Sequence, residues 1–249
     1  GYNLGQSGNT PSQNLVDAYE MIDGTPFDWN NPEHKSNPYA NRDPRLAMSI
    51  LTNNVEFKDR TIEAWTGGRD GKGVIHATRT GYYIYKFIDP NLDLLQNRTS
   101  VHHWVIMRYA EILLSYAEAM NEAYGPTGNV GYRLNAVRAL NQVRNRVGVE
   151  MPAVPTAISK EELREKIRNE RRVELAFEDH RFWDVRRWMI APETLGAPLR
   201  GVEITKISDE EFEYKPIEVE KRTFEPKMYL YPIPQADLNT TGWVQNPLW

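Results

Sequence analysis

A chain of 249 residues that is 40% hydrophobic and 26% charged holds enough apolar material for a packed core. Its formal charge of -4 and pI near 5.8 give no overall attraction to phosphate backbones or anionic lipid, which argues against nucleic acid as a partner. The absence of cysteine removes disulfides, thiolate nucleophiles and cysteine-ligated zinc. No run of residues has the length of a membrane-spanning helix, and Gly1 to Gly5 carry neither the basic nor the apolar region of a signal peptide.

From Gly1 to about residue 103 the chain is dense in Gly, Pro, Asn and Asp, with short segments such as Leu46 to Leu51 and Tyr82 to Ile88 between turn signals. This stretch reads as loops with a few short helices or strands. The character changes at Trp104, after which Ile112, Leu113, Tyr116, Met120 and Ala123 recur at helical spacing until Gly125-Pro126 ends the run. A second helix is predicted from about Val130 to Val147, with Gly148 as its C-terminal cap. Ser159-Lys160-Glu161-Glu162 has the capping-box form, so a third helix starts at about Lys160 and runs to Glu178. An amphipathic stretch from Arg181 to Trp188 follows closely, giving two successive helical hairpins of tetratricopeptide-like form. After Pro192, the alternation of Val202, Ile204 and Ile207, then of Phe212, Tyr214, Ile217 and Val219, predicts a β hairpin turned by Asp209-Glu210-Glu211. The expected fold is therefore mainly α with irregular loops and a small β hairpin.

Recognised catalytic patterns are missing. Glu170 and Glu174 fall on the same helix face as Leu163, Ile167 and Phe177, which turns two carboxylates toward a core. Paired acids can act as general acid and base, but Arg108, Arg171, Arg172, Arg181, Arg186 and Arg187 offer partners for structural ion pairs, which is the reading preferred here. His102 and His103 are adjacent and point to opposite faces of an extended backbone, so they are poor co-ligands. Gly67 to Gly73 lacks the spacing of a phosphate loop and the Ser or Thr after Lys72. Asp89 to Asp93 imitates the start of a calcium loop, but Leu94 stands where the turn glycine belongs and Ser100 where the bidentate acid belongs, so it reads as a tight turn. No cofactor and no metal are expected.

Several stretches together resemble the C-terminal part of the SusD/RagB family. Pro11 to Gly24, PSQNLVDAYEMIDG, is similar to a segment early in that part, and Asp43-Pro44-Arg45-Leu46 follows it. Arg108 to Ala119, RYAEILLSYAEA, resembles a family helix, and Asn169 to Trp188, NERRVELAFEDHRFWDVRRW, is the strongest single match. Tyr231-Pro232-Ile233-Pro234 and the closing Gln245-Asn246-Pro247-Leu248-Trp249 resemble the family's ending, with Leu248 in place of the usual Gly. The resemblance implies a single C-terminal domain over residues 1–249, in which 1–103 is a loop-rich ligand-binding segment, 104–190 carries the helical hairpins, and 191–249 the β hairpin and closing loop. It also implies an outer-membrane, cell-surface lipoprotein of Bacteroidetes-type bacteria whose lipid anchor lies outside this chain. Such a protein binds oligosaccharide without catalysis and delivers it to a SusC-like, TonB-dependent transporter.

A sugar-binding surface needs aromatic rings, because sugar rings present apolar C–H faces that stack on them. With 7 Trp and 13 Tyr in the chain, the loop-rich segment supplies Tyr2, Trp29, Tyr39 and Trp65, with Arg69 and Asp70 as hydrogen-bonding groups. Trp65 leads, since it precedes a glycine-rich loop and follows the DPRL segment, where the family places a binding aromatic. Trp183 and Trp188 are expected in the core. Competing readings are a helical interaction scaffold of the uptake complex, a binder of peptide nutrients, and an enzyme without a recognisable motif.

Overall fold

The computed structural model describes residues 7–93 and 95–249. In chain order the elements are α1 (Gln13–Val16), α2 (Pro32–Ser36), α3 (Arg45–Ser49), β1 (Ile50–Leu51), β2 (Glu56–Phe57), β3 (Arg60–Thr61) and β4 (Tyr83–Ile84). There follow α4 (Tyr109–Tyr124), α5 (Ala136–Arg144), α6 (Lys160–Glu174), α7 (His180–Arg187), α8 (Ala191–Thr194), β5 (Leu199–Lys206), β6 (Phe212–Glu220) and α9 (Gln235–Thr241), with a 3-10 turn at Pro226–Tyr229 between β6 and α9. The fold is mostly helical with small antiparallel strand pairs, β1 with β4, β2 with β3, and β5 with β6.

The capping box predicted before α6 is formed. Ser159 Oγ accepts from Glu162 N–H at 3.2 Å, and Glu162 Oε2 accepts from Ser159 N–H at 3.0 Å. Several helices are shorter than their periodicity predicts, for local reasons. The first begins at Tyr109 rather than Trp104. The second begins at Ala136, where Asn135 Oδ1 accepts from Arg138 N–H at 2.9 Å and caps the helix. The third stops at Glu174 because Phe177 and Asp179 take left-handed backbone angles, φ 65° and 63°, which break the i to i−4 ladder. The buried face of α4 is Leu113, Leu114, Ala117 and Met120, while Ile112 is exposed.

The core has two clusters that share α6. Leu163 and Ile167 pack with Leu113, Leu114 and Ala117 of α4 and with Ala136, Leu140 and Val143 of α5. Each fully buried Leu or Ile contributes about 1.5–3 kcal/mol. Val173, less than two turns further on, packs with Val16, Tyr19, Leu46, Ile50 and Tyr82 of the loop-rich segment and with Val202, Ile204 and Tyr214 of the hairpin. The loop-rich segment is thus folded onto the hairpin. Val202 N–H donates to Thr80 O at 2.9 Å, and Gly201 permits the approach, since a Cβ there would lie 2.8 Å from Thr80 Cα. Trp183, expected in the core, is instead 61% exposed, because α7 turns Asp184 and Val185 inward. No helix among the described residues is long and apolar enough to cross a membrane.

Candidate functional site

The loop carrying Trp65 is built by backbone hydrogen bonds and glycine. Thr66 N–H donates to Ile204 O at 2.8 Å, which ties the loop to β5, and Gly68 N–H donates to Trp65 O at 2.9 Å. A Cβ on Gly71 would fall 1.9 Å from Trp65 O, and one on Gly68 would fall 2.4 Å from Glu63 O. Only residues without a side chain let the turn close this tightly behind the tryptophan.

Asp70 locks the base of the loop. Its carboxylate accepts two hydrogen bonds from Arg60, each at 2.6 Å, and one from Glu63 N–H at 3.0 Å. Burial alone opposes ionisation of Asp70, but the Arg60 pair and the Glu63 amide outweigh it and hold the carboxyl below its usual value. Arg69 is exposed and donates from Nε to Glu63 Oε2 at 3.1 Å.

Trp65 does not stand alone. It is half-buried, its ring centroid lies 5.4 Å from that of Phe212, and Lys206 Nζ sits 5.0 Å from its centroid. Phe212 continues to Tyr214 at 6.4 Å, Tyr214 meets Tyr39 edge-on at 5.3 Å, and Tyr39 meets Tyr82 edge-on at 6.1 Å. Phe212 and Tyr214 are two residues apart on β6, so they share one face of the strand.

A cleft of about 1000 Å³ opens beside this series, lined by Tyr39, Phe212 and Tyr214 together with Thr52, Asn53 and Asn54. The buried Asn53 amide stands next to the Tyr214 hydroxyl. Its oxygen accepts from Ala64 N–H at 3.0 Å, while its nitrogen has no well-formed partner among the described residues. Burial raises the Tyr39 hydroxyl well above its usual ionisation range, and it donates to the Tyr82 hydroxyl at 3.4 Å.

The structure thus brings Trp65 and Tyr39 into one aromatic series, with Arg69 and Asp70 on the loop next to Trp65. Trp29 lies apart, half-buried, with its indole N–H donating to Asp17 Oδ1 at 3.0 Å. Tyr2 lies outside the described residues. Phe212, Tyr214 and Asn53 were not singled out from sequence. For Phe212 and Tyr214 the signal was strand alternation, which marks a face as inward without saying what it meets; Asn53, in a turn between β1 and β2, carried none.

The carboxylates of α6 belong to an ion network. Glu174 accepts from Arg45 Nη1 at 2.9 Å, Arg108 Nη1 at 2.6 Å and Arg146 Nη1 at 2.6 Å, and Glu170 accepts from Arg45 at 2.5 Å and Arg144 at 2.8 Å. Burial pushes Glu174 upward, but Arg146, Arg108 and Arg45 together bring it down to about 2. Of the arginines expected from sequence to pair with these acids, only Arg108 does so. Arg171 pairs with Asp184 at 2.9 Å, and Arg187 with Glu118 at 2.5 Å.

A mostly helical scaffold with an aromatic-lined open cleft has the build of a binding protein. The family model for the SusD family matches residues 1–249, and the chain belongs to that family. It is similar to a SusD-like protein of Bacteroides fragilis, with 33% identity and a TM-score of 0.80 over 98% of this chain and 48% of that one. A SusD-like carbohydrate binding protein of the same species is 31% identical, with a TM-score of 0.73 over 92% of this chain and 47% of that one. SusD-like protein P2 of Formosa agariphila is 34% identical over 120 residues, which are 46% of this chain and 22% of the relative. The chain therefore spans about half the length of these solved relatives.

Proposed function

We propose that this chain captures oligosaccharide without cleaving it, on the surface running from Trp65 through Phe212 and Tyr214 to Tyr39, at the outer face of the cell for delivery to a SusC-like, TonB-dependent transporter. The observation that carries the reading is the aromatic series beside an open cleft edged with amide and hydroxyl groups. Such a surface pairs apolar ring faces with hydrogen-bonding edges, as a sugar does. Membership of the SusD family and likeness to a SusD-like carbohydrate binding protein support it. The non-catalytic reading is supported by Glu170 and Glu174, the two acids nearest to a catalytic pair, being buried and neutralised by four arginines.

Within this surface Trp65 is the main platform. Arg69, exposed at its edge, supplies donors, and Asp70 acts by holding the loop. Single-ring stacking is worth on the order of 1 kcal/mol and must offset desolvation of many hydroxyls, so affinity requires several sugars at once. Calorimetry with oligosaccharides of increasing length on the chain and on Trp65→Ala tests the proposal. Longer ligands should bind better than monosaccharides, with no hydrolysed product and a loss of about fivefold or more in the variant. A cognate oligosaccharide that binds Trp65→Ala as tightly as the parent would sink the assignment of this surface.

A further inference from the structure

Residues of α1, α6, α7, α8 and the start of β5 line another cavity, of about 480 Å³. Four arginines line it, Arg172, Arg181, Arg200 and Arg222, against two acids, Asp17 and Glu193. Asp17 is already occupied, accepting from Arg200 at 3.0 Å, from Gln13 at 2.7 Å and from Trp29 at 3.0 Å. Glu193 is exposed and makes no ion pair among the described residues. Among the described residues, the ion pair of Arg222 is with Glu220, at 3.4 Å.

The two inner arginines are the anomaly. Arg172 is half-buried and donates one hydrogen bond, from Nη2 to Asn14 O at 2.5 Å. Arg181, also half-buried, makes no hydrogen bond and no ion pair among the described residues. Their neighbours on the same helices each have an acid partner: Arg168 with Glu165, Arg171 with Asp184, and Arg187 with Glu118 and Asp184. A guanidinium presents a fork of N–H donors and keeps its charge, so leaving it partly out of water without a partner is costly. Burial lowers Arg181 to about 10, and the nearby charge of Arg172 adds to the effect. Arg172 is lowered by burial as well; Asp17 opposes the shift and Arg200 adds to it. The cations repel one another, and the acids that partly offset them, Asp17 near Arg172 and Asp184 near Arg181, are already paired with Arg200 and with Arg171 and Arg187.

We propose that this cavity binds an oxyanion, a carboxylate, sulfate or phosphate group that is either free or carried as the acidic substituent of a sugar. Arg200 and Arg222, with side chains 44% and 38% exposed, stand at the rim and meet the anion first. Arg181 and Arg172 take it inside, where forked N–H donors match oxyanion geometry. The net charge of -4 conceals this local excess of positive charge. None of the aromatic residues proposed to hold neutral sugar rings lines the cavity.

The test uses the whole chain, titrated with sodium sulfate and with sodium phosphate against sodium chloride at matched ionic strength, by calorimetry and thermal melting. A saturable rise in melting temperature with sulfate or phosphate is expected, absent with chloride. Arg181→Gln should weaken anion binding by at least about tenfold, yet melt without anion no lower than the parent, because an uncompensated cation has been removed. Arg222→Gln, at the rim and away from the core, should weaken binding in the same direction and serves as the second variant. A sulfated or uronic oligosaccharide that binds more tightly than the inorganic anion, and competes with it, identifies the sugar as the source. Saturation by the inorganic anion with no gain from the sugar identifies the free oxyanion. The proposal is overturned if both inorganic anions and the acidic sugars act no differently from chloride, or if both variants retain the parent's affinity.

Discussion

Arg45 Nη1 donates to Glu174 Oε2 over 2.9 Å although the two residues are 129 positions apart. Arg45 also bonds Asp43 and Glu170, so one guanidinium joins the loop-rich segment to α6. Both partners are almost wholly buried. The pair therefore acts as a weld between the two core clusters, and its members cannot be removed singly without stranding charge.

Glu174→Ala should accordingly destabilise the protein by about 3–5 kcal/mol, because Arg45 is left in the interior with one carboxylate fewer. Chemical denaturation measures the loss. Glycan affinity of the surviving folded protein should be unchanged, and loss of binding in a variant of full stability would contradict the structural role.

The same residue sets an acid limit. Its folded value of about 2 lies below the ordinary 4.5, so the folded state favours the ionised form. The contribution is fully present above about pH 4.5 and is lost as pH falls toward 2. At about 1.36 kcal/mol per pH unit this amounts to roughly 3 kcal/mol. Denaturation midpoints measured from pH 6 down to 2 should fall mainly below pH 4.5, and Glu174→Gln should flatten that slope.

Gly71→Ala should damage the Trp65 loop, since the added methyl would lie 1.9 Å from Trp65 O and backbone must move to admit it. A loss of about 1–3 kcal/mol is expected, with a change in tryptophan fluorescence as Trp65 shifts from Phe212. An unaltered spectrum and melting curve would show that the loop closes without glycine.

Phe212→Ala should weaken oligosaccharide binding almost as much as loss of Trp65, because it removes the ring that backs the platform and also lines the cleft. Trp29→Phe should instead act through stability, by about 1 kcal/mol, through loss of the hydrogen bond to Asp17. Calorimetry and melting of the two variants separate these effects.

Exposed apolar side chains at Val101, Trp104, Ile106, Met107 and Tyr109 form a run on the surface, and such a patch favours association. Light scattering across a concentration series should show the chain self-associating, and Ile106→Glu should reduce it. A strictly monomeric parent would count against the prediction.

Helix identity, the Ser159–Glu162 cap and the β5–β6 hairpin were legible from sequence, because each depends on residues a few positions apart. The inward placement of Glu170 and Glu174 was legible in the same way, from the period of one helix. Of the arginines that meet them, only Arg108 was named from sequence: Arg45, Arg144 and Arg146 come from elements that periodicity cannot relate to α6, and Arg181, expected as a partner, lines a separate cavity. Likewise Trp65 and Tyr39 could be named as loop aromatics, but Phe212 and Tyr214, which link them, are supplied by the hairpin. Local periodicity and capping determine which face of an element turns inward. Only the folding of the loop-rich segment across β5, β6 and the second half of α6 decides what that face touches, because those contacts are selected by long-range packing and charge pairing.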